Sequence, residues 1–165
     1  MAFTRKIAGN LEFNQNDGEI KHVKTGERLA KFASKFVVPV PLLAKSVEVP
    51  IDSTGLKEIC GHQTLDPELV EQATDAYFET WGSAPSETDA VVDVELWDDT
   101  AGELIAKTTY SGDSGLKKAV GILSDLKSRV GHRIVLRVNV TTASATSGAT
   151  QIFRSAVLKI IYDFT

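Results

Sequence analysis

AVVDVELW, residues 90–97, decides how the rest of the chain is read. Val92, Val94 and Leu96 recur at every second position, with Asp93, Glu95 and Trp97 between them. A period of two is the signature of a β-strand that turns one face to a core and the other to water. Working outward, the same alternation recurs. In AYFETW, Tyr77, Glu79 and Trp81 stand against Phe78 and Thr80. ELIAKTTY follows the turn DDTAG as the next strand. In RIVLRVNV, Ile134, Leu136, Val138 and Val140 stand against Val135, Arg137 and Asn139. In AVLKIIYDF, Ala156, Leu158, Ile160 and Tyr162 stand against Val157, Lys159, Ile161 and Asp163. The connector TTASATSGAT, residues 141–150, is small and polar, as a loop between neighbouring strands should be.

Short strands joined by polar turns, without βαβ spacing, point to a mainly β chain. The expected fold is an antiparallel β-sandwich of jelly-roll type, with an N-terminal hairpin or extended arm and one or two short helices. The last strands broadly resemble jelly-roll sandwich domains, a shape that hosts many functions and decides none.

The ends of the chain read differently. LEFN and EIKHV flank Asn16-Asp17-Gly18 and suggest a hairpin. In KTGERLAKFASK and the residue after it, Leu29, Phe32 and Phe36 recur at helical spacing, which predicts one or two helical turns. FVVPVPLLAKSVEVPID contains Pro39, Pro41 and Pro50, so it must be an edge strand, a bulged strand or an extended arm. Residues 1–50 are therefore expected as a hairpin and arm, and residues 51–165 as the sandwich. Residues 52–75 carry little pattern. Asp66 with Pro67 behind it suits a helix start, and a loop leading into a strand suits the segment equally. For residues 116–130 a single helix and a strand followed by a helix compete. The preferred reading is a strand over Leu116–Ile122, then a short helix from Ser124 to Val130 closed by Gly131.

Composition bounds the function. A chain of 165 residues, 42% hydrophobic and 24% charged, has the length for a real core. No apolar run approaches the ~20 residues of a membrane span. MAFTRKIAGN lacks an apolar stretch after its two cations, so it does not read as a secretion signal, and a cytoplasmic or virion location is expected. Cys60 is the single cysteine, which excludes an intrachain disulfide. The net charge of −4 argues against nucleic acid and anionic membrane as partners. Residues 1–50 hold eight Lys/Arg against five Asp/Glu, +3, and the remainder ten against seventeen, −7. Opposite charge of this kind would steer one copy onto another.

Motifs for chemistry are sparse. Gly112-Asp113-Ser114-Gly115 is similar to the run around the nucleophile of trypsin-like serine proteases, but Leu116 follows it. Neither His22 in IKHVK nor His62 in CGHQT stands in that family's histidine context. Four turn formers between strands explain the run better. Cys60 and His62 could make a thiol–imidazole pair, with a structural cysteine beside a loop histidine as the plainer reading. Asp98, Asp99 and Glu103 supply oxygens suited to calcium but lack EF-hand alternation. Glu79, Asp93 and Glu95 could form an acid/base pair in a groove, though solvated strand faces explain them too. No phosphate loop, zinc motif or dinucleotide fingerprint is present, so no cofactor and no metal are expected.

Two functional expectations remain. The first is a non-enzymatic structural or assembly protein: a coat, decoration or tail component of a virion, or another self-assembling subunit. It would contact copies of itself or other structural proteins through Val37, Val38, Val40, Leu42 and Leu43 in the arm, provided these residues do not instead build the sandwich's own first strand. The second is a carbohydrate- or ligand-binding module with Trp97, Trp81 and Tyr77 as a stacking platform. A hydrolase ranks behind both.

Overall fold

The structure, a computed structural model, describes residues 4–8, 11–14, 19–22, 28–31, 35–83 and 89–163. The chain divides into two compact units: Met1–Val37 with Ile161–Thr165, and Val38–Ile160.

In the smaller unit β1 (Thr4–Ala8), β2 (Leu11–Asn14), β3 (Glu19–His22) and β4 (Arg28–Lys31) form an antiparallel sheet in chain order. β2 and β3 are the expected hairpin, with Asn14 opposite Glu19. Its turn residues lie outside the described residues. The helical turns expected over residues 24–36 are corrected: Leu29 lies in β4, which pairs with β3, and Phe36 lies in a later strand. Phe32 lies outside the described residues. A lone helical turn fixes about six dihedrals for one hydrogen bond, whereas a strand beside β3 gains ladder bonds at once.

The larger unit is a sandwich of two antiparallel sheets. One has the order β10–β9–β12–β7, with β7 Gly55–Thr64, β9 Val91–Asp98, β10 Glu103–Ser111 and β12 Arg133–Thr142. The other has the order β11–β8–β13–β5, with β5 Lys35–Pro41, β8 Asp75–Gly82, β11 Gly115–Val120 and β13 Thr150–Asp163. β6 (Val47–Pro50) also pairs with β13. From β6 onward each strand crosses to the opposite sheet from its predecessor, except β9 to β10, which stay in one sheet. That path is a jelly roll.

The predicted alternation sets the core. Phe78, Val94, Leu96, Leu136, Val138 and Leu158 are buried between the sheets. Thr80 of β8 shares hydrogen bonds with Thr108 (2.7 Å) and Tyr110 (2.9 Å) of β10, so a polar chain ties one sheet to the other.

The proline-bearing segment is the edge strand β5 followed by β6. Pro39, Pro41 and Pro50 are exposed, and β5 ends the sheet order, where a missing N–H costs no ladder bond. The compact units divide at Val37, so residues 38–50 fall in the Val38–Ile160 unit. Leu42 is interior, and its N–H donates to the Ala156 carbonyl at 2.9 Å. Val38, Val40 and Leu43 are half-buried in the same sandwich, and Val37 is exposed.

The two helices are short. Asp66 caps α1 (Pro67–Val70), its carboxylate accepting from the Glu68 N–H, with Pro67 at the first turn. The strand-then-helix reading holds after Ser114. β11 is followed by α2 (Leu123–Lys127), which starts one residue earlier than expected and has Ile122 at its cap position. Residues 55–64 are a strand that the sequence did not announce. β7 pairs with β12 through two register shifts, and each shift breaks the period of two.

Candidate functional site

The outer face of the β11–β8–β13 sheet gathers the most recognition chemistry. Ala76, Phe78 and Thr80 point inward, so Tyr77, Glu79 and Trp81 point out. Antiparallel pairing sets Val120 opposite Tyr77, Lys118 opposite Glu79 and Leu116 opposite Trp81. Residues directly opposite share a face. Each ring carries a cation: Lys118 Nζ lies 3.6 Å and Lys159 Nζ 5.6 Å from the Tyr77 centroid, and the Arg154 guanidinium lies 4.6 Å from that of Trp81. Lys159 also donates to Glu79 at 2.7 Å, and this bond holds its ammonium pKa above the ordinary lysine value. Among the described residues Lys118 and Arg154 contact no carboxylate. Leu116 and Val120 beside them are 60% and 68% exposed.

Trp97 belongs elsewhere. It lies on the outer face of the other sheet, opposite Val135, with the Arg137 guanidinium 3.9 Å from its ring centre. Sheets in a sandwich are about 10 Å apart. The three aromatics therefore do not form one platform: Tyr77 and Trp81 share a face, and Trp97 is on the far side. A sugar stacking on any of them would compete with the cation already there.

The carboxylates divide the same way. Glu79 is on the face with Tyr77, and Asp93 and Glu95 are on the face with Trp97. The solvated-face reading of Asp93 and Glu95 is corrected, since they are only 3% and 8% exposed. Asp93 accepts from Lys107 Nζ at 2.8 Å and Thr109 Oγ1 at 2.6 Å, and this bond raises the Lys107 pKa. Glu95 accepts from Asn139 Nδ2 at 3.3 Å, with Arg137 Nε at 4.0 Å. Neighbours already hold each carboxylate.

The remaining motifs resolve as structure. GDSG is the turn from β10 to β11, with Gly112 and Gly115 at φ +70° and +114°. Asp113 accepts from the Ser111 N–H at 3.0 Å and pairs with Lys117. Ser114 is exposed. His132, the histidine nearest in sequence, bonds Asp98 through Nδ1 at 2.8 Å. Cys60 and His62 are both on β7, but the register shift at Gly61 sets Cys60 opposite the inward Leu136 and His62 opposite the outward Val135. They do not share a face. Asp98 is fully buried: Oδ1 accepts from the Thr100 and Ala101 N–H groups, and Oδ2 meets His132 and, at 3.2 Å, Arg129 Nε. Arg129 reaches on to Glu103 at 2.9 Å. This network locks the DDTAG turn against the segment after α2. Among the described residues no group of three metal-ligating side chains converges.

The preferred strand over Leu116–Ile122 puts Leu116, Lys118 and Val120 on one face, but sequence reasoning missed them as site residues because only pairing with β8 sets that face beside Tyr77 and Trp81. It missed Arg154 because the inward phase of β13 slips between Phe153 and Ala156, which hides the alternation there.

No family model and no curated protein matches the sequence. Among solved structures, the chain is similar to the VP2 subviral particle of infectious bursal disease virus, with TM-score 0.45 and 11% identity over 97% of this chain and 41% of that one. It is also similar to xylanase 10B CBM22-1–GH10 modules of Clostridium thermocellum in complex with xylohexaose, with TM-score 0.34 and 12% identity over 73% and 25%. A third is tailspike protein 4 of bacteriophage CBA120, with TM-score 0.35 and 9% identity over 78% and 19%. The chain spans about two-fifths of the length of the capsid proteins. These likenesses concern the kind of fold alone. Among the described residues no helix is long and apolar enough to cross a membrane.

Proposed function

We propose that the chain is a non-enzymatic structural subunit that assembles with copies of itself, as a coat, decoration or tail component of a virion does. The observation that carries this reading is where the exposed large apolar side chains of the Val38–Ile160 unit lie. Leu56 is on β7, Leu104 on β10, and Leu116 and Val120 on β11. All three strands end a sheet. Among the described residues of this unit, only Val130, beyond α2, falls off an edge strand. Edges of free-standing sheets are usually blunted by proline or charge. β5 has its prolines; β7, β10 and β11 have none and rely on charge, Lys57, Glu103 and Lys107, and Lys117 and Lys118, beside these exposed apolar side chains. Light scattering across a concentration series, with electron microscopy of the product, tests the reading. Oligomers, filaments or particles are expected; a clean monomer at high concentration would overturn it. Labelling of Ser114 by a fluorophosphonate would overturn its non-enzymatic part.

A carbohydrate-binding module is the second reading, favoured by Tyr77 and Trp81 sharing one face. Glycan binding that is lost in Trp81→Ala would place it first.

A further inference from the structure

We infer that the cationic outer face of β8, β11 and β13 is the seat for the α1 loop of a second copy of this chain. The inference rests on the self-assembly proposed above.

The seat has the composition of an interface core: two aromatic rings, an arginine, and exposed Leu116 and Val120 in one strip. Arg154 and Lys118 are held in place by their rings, and among the described residues neither contacts a carboxylate; Glu79, opposite Lys118, is bonded by Lys159. A stacked guanidinium keeps its N–H edge available for an anion in its plane.

The matching surface is residues 65–75, LDPELVEQATD, which hold four carboxylates and no Lys or Arg. Asp66, Glu68, Glu71 and Asp75 are all exposed. Glu68 and Glu71 are three residues apart across the end of α1, so they project from one side. The cation at this loop is Lys127, which donates to the Ala73 carbonyl at 3.2 Å and leaves the loop acidic.

Geometry asks for a second copy. Asp75 opens β8, whereas Trp81, under Arg154, is six residues further along, roughly 20 Å at strand rise. The loop of the same molecule thus lies at the Tyr77 end of the strip, away from Arg154. A copy turned about a two-fold axis brings its own loop to Arg154 and receives the first copy's loop in return. Such self-complementary contacts are the commonest way copies of one chain associate.

The test uses the full chain with Lys118→Glu/Arg154→Glu in one variant and Glu68→Lys/Glu71→Lys in another. All the altered residues are exposed, and circular dichroism confirms the fold of each variant. Each variant alone should associate roughly a hundredfold more weakly than wild type, because like charges then meet. Mixing the two should recover association, since one keeps the loop and the other the strip. About 0.5 M salt should weaken the wild-type contact. If wild type associates and both variants match it, or the mixture recovers nothing, this contact is wrong and the subunit reading stands. If wild type stays monomeric throughout, both fall.

Discussion

Gly61 cannot carry a side chain. It sits in the β7 register shift at φ +72°, and a Cβ there would lie 1.6 Å from the Leu42 carbonyl oxygen. Gly102 has the same φ, but nothing lies within 4 Å of its would-be Cβ. Gly102→Ala should therefore cost only the left-handed penalty, about 1–2 kcal/mol. Gly61→Ala should cost at least about 3 kcal/mol, because backbone must move as well. Urea unfolding of the two variants measures the difference; equal costs would mean that β7 and Leu42 do not meet. Asp98 makes a second test. Burial pushes its carboxyl pKa up, but the bonds from His132, Ala101 and Thr100 outweigh burial and hold it below the ordinary aspartate value. A group depressed in the folded state stabilises fully above its unfolded pKa, about 3.9, and that contribution drains away as pH falls through the folded value. Asp98→Ala, which leaves Arg129 short of its buried partner, should cost about 3 kcal/mol near neutral pH. The gap to wild type should narrow in acid. A gap independent of pH would show that the Asp98 charge is not what stabilises.

β11 is an edge strand of six residues whose outward side chains are Leu116, Lys118 and Val120. Its fold contribution comes from pairing with β8, which needs no apolar side chain at 116 or 120. Leu116→Lys/Val120→Lys should thus leave stability within about 1 kcal/mol of wild type, as for surface changes generally. The same change should weaken self-association, because lysines on an edge oppose strand addition. Thermal melting and light scattering on one preparation separate the two effects. A large loss of melting temperature would show that these side chains are part of the core.

Among the residues whose burial is described, the buried apolar side chains run from Leu42 to Ile160 and lie within the Val38–Ile160 unit. A chain that begins at Val38 should accordingly fold and unfold cooperatively. It forfeits the contact between Phe36 and Tyr162, whose centroids are 6.4 Å apart, a loss of about 1 kcal/mol. Circular dichroism and a urea titration check this. A disordered product would mean that the sandwich depends on the first 37 residues.

What the residues settled alone was which strands exist and which of their side chains point inward, wherever one regular face was buried. The run 90–97 is the clearest case. The prolines kept their segment out of a central position, because a missing N–H excludes central pairing, without choosing between edge strand, bulged strand and arm. Asp66-Pro67 suited a helix start, since capping is local chemistry, but suited a loop equally, and the tertiary structure decided for α1. β7 was not legible, since two register shifts erase its period. The phase slip after Phe153 hid Arg154 in the same way. Alternation also says in or out without saying of which sheet. Trp81 and Trp97 both read as outward, and only the crossing of strands between layers put them on opposite sides of the molecule. The burial of Asp93 and Glu95 likewise depended on Lys107, Thr109, Arg137 and Asn139 arriving from neighbouring strands. Periodicity is a property of one strand, and a site is a property of several, which only their pairing brings together.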